Sequence, residues 1–173
     1  MRRVEQLKLA GLTPTELSPA LAERLRRLYG PDLAMRSVWR MSNGDGEIFV
    51  LDLWRAGHLS VPGLVAVVSP KLALPALHLE PRRWHDRLLG RGSPGIAFPD
   101  DPQLARAWRV RSDDEDRART LLGGSRGLWL AQLPPVPWDG EGQLLCVRTT
   151  GWREVPVSQA LENAGALYSV LTR

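Results

Sequence analysis

The sequence predicts an α+β fold: a mainly antiparallel sheet with an N-terminal helix, a short central helix and a C-terminal helix packed on it. Three observations carry this. Two β-rich runs flank Asn43-Gly44, and Asn-Gly in that setting is the best short-range hairpin signal. Leu17, Leu21, Leu25 and Leu28 recur at helical spacing. Paired hairpin signals with interspersed helices favour antiparallel pairing.

Taken in order, residues 1–12 read as a loose lead or a first strand. Thr13-Pro14-Thr15-Glu16 then reads as a helix start. Thr13 is the expected cap, Pro14 fits the first helical position and Glu16 completes a capping box. Gly30-Pro31 stops that helix. Residues 38–41 and 47–54 are the strands of the first hairpin. In the second of them Ile48, Val50, Asp52 and Trp54 share one face, and Phe49, Leu51 and Leu53 share the other. Both faces are mostly apolar, as in a central strand covered on both sides. Segments 64–68 and 72–79 are two more strands, with Ser69-Pro70-Lys71 between them suggesting a second hairpin. Pro75 puts the later strand at an edge or gives it a bulge. Residues 81–89 are read as the short central helix, and 92–102 as a loop.

Residues 104–111 are read as a strand with imperfect alternation. The acidic run Ser112-Asp113-Asp114-Glu115-Asp116 follows. It is expected to start a helix, with Ser112 as cap and Glu115 closing a capping box. Asp113 and Asp114 then sit in the first turn, where the helix dipole favours negative charge. Gly123-Gly124 ends this helix. Residues 128–133 fit either a strand or a helical turn, Pro134 to Pro137 a rigid connector, and Trp138-Asp139-Gly140-Glu141-Gly142 a turn. Residues 143–150 are the last strand. A final helix over 158–172 shows Leu161, Ala164, Tyr168 and Leu171 on one face.

A chain of 173 residues suits a single domain, here residues 1–173. At that length folding hides about 70% of the unfolded surface, so no disulfide or metal is required for stability. The single cysteine, Cys146, excludes an internal disulfide and cysteine-rich zinc sites, and its strand context makes it a core residue. No apolar run reaches the roughly 18 residues of a membrane span, and charges interrupt the start of the chain where a signal peptide is apolar. A soluble, cytoplasmic protein is expected. Of 23 basic residues only Lys8 and Lys71 are lysines. Arginine grips phosphates in a bidentate way, but Arg, Ala, Gly and Pro are abundant together, as in GC-rich coding sequences. The 19 acidic residues are interspersed, so no block of one sign forms a nucleic-acid tail.

Four elements stand in a telling order and spacing: the Asn43-Gly44-Asp45-Gly46 turn before a strand carrying Asp52; Leu74-Pro75-Ala76-Leu77-His78-Leu79-Glu80-Pro81; Gly95-Ile96-Ala97-Phe98-Pro99-Asp100; and Trp108-Arg109-Val110-Arg111-Ser112-Asp113-Asp114-Glu115. In these the chain, over residues 18–171, resembles a bacterial, actinobacterial-type protein family of unknown function. Trp54 departs from that family's aromatic pattern. Its members often carry N-terminal membrane segments, which have no counterpart here. The resemblance implies a discrete domain and supplies no catalytic residue.

Chemical motifs are sparse. His58, His78 and His85 lack the spacing of a zinc site. Gly92-Ser93-Pro94-Gly95 and Gly124-Ser125-Arg126-Gly127 fall short of a nucleophile elbow, and no glycine loop has a phosphate-binding signature. Asp100-Asp101 and Asp113-Asp114 are the paired carboxylates a glycosidase would need; the first pair looks like a turn. Seven tryptophans, Trp39, Trp54, Trp84, Trp108, Trp129, Trp138 and Trp152, are spread over nearly every element. Trp and Arg are enriched in binding hot spots, so Arg82, Arg83, Trp84, Arg87 and Arg91 form the expected interaction surface. The leading expectation is a non-enzymatic protein-interaction or binding module without a cofactor, engaging a protein partner or a second copy. A nucleic-acid-binding protein, using Arg24, Arg26 and Arg27 together with the Trp84 region, is the alternative. An enzyme of unrecognised type is the third.

Overall fold

The computed structural model describes residues 3–42, 44–55, 63–82, 95–149 and 155–173. Its centre is an eight-stranded sheet ordered β1-β2-β3-β4-β8-β7-β5-β6. The strands are β1 Thr13–Pro14, β2 Leu33–Ser42, β3 Glu47–Arg55, β4 Gly63–Val68, β5 Leu74–Pro81, β6 Trp108–Ser112, β7 Trp138–Gly142 and β8 Leu144–Arg148. Every pairing among them is antiparallel. The helices are α1 Arg3–Leu9, α2 Pro19–Tyr29, α3 Pro102–Ala107, α4 Glu115–Leu122, α5 Ser125–Gln132 and α6 Val157–Leu171. The predicted α+β class is therefore the observed one.

The sheet is apolar on both faces, but unequally. One face packs on α1, α3, α4, α5 and α6, with Val50, Val65, Val67, Leu79 and Val147 at its centre. Among the described residues the other packs on α2, through Leu21 and Leu25 against Phe49, Leu51, Leu64 and Cys146. Strand β3 is covered on both sides, Val50 and Leu51 being fully buried in opposite directions, as its two apolar faces predict. The sixth helix buries Val157, Ala160, Ala164, Leu167 and Leu171. Leu161 and Tyr168, expected on the buried stripe, flank it.

Several expectations are corrected. Residues 3–9 are helical, and Leu7 is fully buried. The next helix starts at the second hydroxyl-Pro pair, not the first. Ser18 Oγ accepts from Leu21 N at 3.3 Å and Pro19 occupies the first turn. Thr13 and Pro14 instead pair with Arg40 and Trp39 as an edge strand, where a missing N–H costs little. Strands β4 and β5 do not form a hairpin, because β8 and β7 lie between them. The bulge attributed to Pro75 is real, a register shift against β7 between Leu74 and Leu77. Residues 102–107 are helix, with Pro102 in the first turn, so the strand begins only at Trp108. This removes the imperfect alternation. The segment 128–133 belongs to α5, which ends at Gln132. Of residues 81–89, read as a short helix, Pro81 ends β5 and 83–89 lie outside the described residues.

The acidic run does open a helix, two residues later than expected. Ser112 is the last residue of β6. Its hydroxyl donates to Ala76 O at 2.7 Å and accepts from Asp114 N at 3.1 Å. Asp114 is the cap, its Oδ1 accepting from Arg117 N at 3.0 Å. Glu115 and Asp116 occupy the first turn and ion-pair with Arg119 at 2.9 and 3.3 Å. Of the other acidic pair, Asp101 serves a different helix: its Oδ2 accepts from Gly124 N at 2.9 Å, beside the start of α5.

The β2–β3 turn is fastened to the rest of the molecule through Ser69. Its hydroxyl lies 2.7 Å from Asp45 O and 2.9 Å from the Tyr168 hydroxyl of α6. Gly46 backs so closely onto β4 that a Cβ there would lie 2.1 Å from Val68 O. Two stability predictions follow from these geometries. Asp114→Ala should cost about 0.5–2 kcal/mol, the range for losing an N-cap, read by urea unfolding. Gly46→Ala should cost about 1–3 kcal/mol, the range for overpacking, because a backbone carbonyl and not a movable side chain blocks the methyl.

Candidate functional site

Alternation and register decide which side chains meet on the α2 face. Phe49, Ala66, Cys146, Asp139, His78 and Arg111 are successive cross-strand partners from β3 to β6. The row is apolar where α2 covers it and turns polar from β7 outward. A second polar row lies beside it, with Arg148 on β8 and the directly opposed Glu80 and Arg109 on β5 and β6. The two rows bring His78, Glu80, Asp139 and Arg148 together at the border of the α2 footprint.

Asp139 organises the group. It is 2% exposed, and a buried carboxylate is tolerated only when paired. Its Oδ1 hydrogen-bonds His78 Nδ1. Its Oδ2 accepts from the Tyr29 hydroxyl, at the last turn of α2, at 2.6 Å. Arg148 Nε lies 3.0 Å from the same Oδ2 but makes no well-aligned hydrogen bond, so this contact is ionic. On the solvent side, His78 Nε2 is 3.3 Å from Glu80 Oε1, and Arg148 Nη2 is 3.8 Å from that oxygen. An imidazole and a guanidinium thus lie between a buried carboxylate, Asp139, and a half-exposed one, Glu80.

The electrostatics follow. The hydrogen bond to Asp139 raises the His78 pKa above its ordinary value near 6.5, against an opposing desolvation. Burial pushes the Tyr29 hydroxyl well above its usual range, with Cys146 and Asp139 adding to the shift. Burial likewise pushes the Cys146 thiol far up, which makes it an inert core residue. An Asp–His pair is the core of many general-base systems, but a base needs its far nitrogen aimed at a proton to be removed. Among the described residues the partner of His78 Nε2 is Glu80.

The expected interaction surface fares differently. Arg82 is half-buried, and its Nε donates to Trp108 O at 3.1 Å, holding the end of β5 to β6. Arg83, Trp84, Arg87 and Arg91 lie outside the described residues, as do His58, His85 and Trp152. Of the remaining tryptophans, Trp39, Trp108 and Trp138 are core. Trp54 lies 5.0 Å beneath the Arg36 guanidinium, while Trp129 is 51% exposed beside Arg173. Arg26 and Arg27 are exposed on α2, and Arg24 is tied to Glu141 O.

The sequence names His78 only among histidines without zinc-site spacing, and Asp139 only as part of a turn. The segment expected to be a turn, 138–142, is strand β7, which corrects that expectation. Gly140 packs beside Leu74 of β5, whose Cδ1 would lie 2.6 Å from a Cβ built there. The signal that finds Asp139 is a period of two, with Trp138 facing the core and Asp139 the other face.

The raised His78 pKa gives a signed prediction. The group's contribution to stability is present in full below about pH 6.5 and is lost as pH rises through the higher folded-state value. Chemical denaturation across that window should show stability falling with pH, and His78→Gln should flatten the slope. A wild-type slope unchanged by this substitution would assign the dependence to other groups.

Among the described residues, no helix is long and apolar enough to cross a membrane, and no three His, Cys, Asp or Glu side chains are grouped to hold a metal ion. Comparison with protein-family models, with curated proteins and with solved structures finds no match for this chain.

Proposed function

We propose that the chain is a non-enzymatic binding domain that recognises a protein partner through acidic side chains, using the half of the sheet face that α2 leaves open. One observation carries this reading. Arg111 is exposed on the edge strand, directly across from His78, with no charged partner among the described residues. On the same face of the sheet stand Arg109 and Arg148, with Glu80 and Asp139 among them, and Arg26 and Arg27 are exposed on α2. Arginine is a favoured residue for carboxylate recognition. The groups with catalytic potential support a binding role by their engagement, since His78 faces Glu80 and Cys146 is sealed.

The same arginines favour nucleic acid as a second reading. Glu80 and Glu141, on the same face of the sheet, weigh against it, because they would meet phosphates with like charge. A protein surface can match a mixed pattern; a uniformly anionic backbone cannot.

An alternating Glu-Gly peptide and a short DNA duplex, titrated separately, test the two. The expected result is salt-dependent binding of the peptide, weakened about fivefold or more by Arg111→Glu, the scale of a hot-spot arginine. Binding of the duplex with a steep salt slope, and none of the peptide, would transfer the site to nucleic acid. Failure of both ligands would remove the reading.

A further inference from the structure

We infer that Glu80 is an internal stand-in for a ligand carboxylate, displaced from His78 and Arg148 when an acidic side chain of the partner arrives. The inference rests on the acidic-partner reading above and names the group the partner must bring and the contact it must break.

The geometry of Glu80 is that of a group in the right place but poorly seated. N–H···O hydrogen bonds span about 2.7–3.2 Å, whereas Glu80 Oε1 stands 3.3 Å from His78 Nε2 and 3.8 Å from Arg148 Nη2. Arg148 Nη2 is a buried donor without a hydrogen-bond partner among the described residues, a condition native structures rarely keep. The cause is tethering. Glu80 rises from β5, two residues from His78, while Arg148 rises from β8 with β7 between them. A carboxylate free of β5 is not held to that distance and can approach Arg148 Nη2, and the imidazolium form of His78 offers it Nε2–H as well.

The exchange is also inexpensive. Glu80 and His78 have side chains 39% and 37% exposed, and ion pairs at such exposure contribute little. One carboxylate replaces another, so the charge balance around buried Asp139 is preserved. Asp139 continues to fix the imidazole from behind through Nδ1, keeping Nε2 aimed outward.

The test titrates the Glu-Gly peptide into the full chain and its Glu80→Gln and Glu23→Gln variants, following affinity and the His78 imidazole nitrogen resonances. Glu23 is exposed on α2 and controls for net charge. The expected result is affinity raised about two- to fivefold by Glu80→Gln, the scale of an exposed ion pair, with no change for Glu23→Gln. The Nε2 resonance should move on peptide addition. Equal affinities for wild type and Glu80→Gln would overturn the displacement and leave the acidic-partner reading standing. An equal gain in both variants would assign the effect to net charge and overturn it too. Absence of binding to all three proteins would remove both ideas. Acetate in place of the peptide separates the two sources of carboxylate. If it moves the resonance as strongly at equal carboxylate concentration, the site belongs to a small free acid and the protein-borne source is overturned.

Discussion

The structure depends on a shortage of cover. Eight strands about 4.8 Å apart span about 34 Å. A helix of eleven residues is about 16 Å long and about 10 Å wide, so in no orientation can α2 shield the whole face it packs on. Leu21 and Leu25 are spent on β3, β4 and β8. Among the described residues the outer strands β7, β5 and β6 carry polar side chains on that face: Asp139, His78, Glu80, Arg109 and Arg111. The opposite face, packed on five helices, carries no such obligation and remains apolar out to Val110 on the edge strand.

At the border between the two regimes a carboxylate is trapped. Asp139 sits one strand away from Cys146, which α2 covers completely, so it is dehydrated like a core residue while its neighbours toward β6 are not. The Tyr29 hydroxyl comes from α2, the imidazole from β5 and the guanidinium from β8. Three separate elements thus meet on one side chain, and the position of α2 on the sheet is coupled to the orientation of His78. Breaking one arm of such a group is costly because it strands a buried charge.

Much of the fold was legible because local signals and packing agreed. The Asn-Gly hairpin, the two apolar faces of β3 and the C-terminal helix all follow from pattern alone. Where signals competed, tertiary pairing decided. Thr13-Pro14 and Ser18-Pro19 both look like helix starts, and only the pairing of Thr13 with Arg40 on β2 removes the first. Ser112 was a plausible cap by residue type, yet strand β6 claimed it and passed the role to Asp114. The candidate site was least legible. Its central residue lies between glycines in a stretch that resembles a turn, and its members come from 78 to 148, united only by the strand order. No spacing rule in the sequence encodes that β8 and β7 insert between β4 and β5.

The burial of Cys146 has a practical consequence. It is the chain's only cysteine, placed mid-sheet directly beneath α2 and next to Asp139 in register. A thiol reagent reaches it only when the helix lifts or the sheet parts, so the rate of labelling measures the free energy of that opening. The molecule thus contains its own gauge of how firmly α2 is seated, at the boundary where the dry half of the face gives way to the charged half.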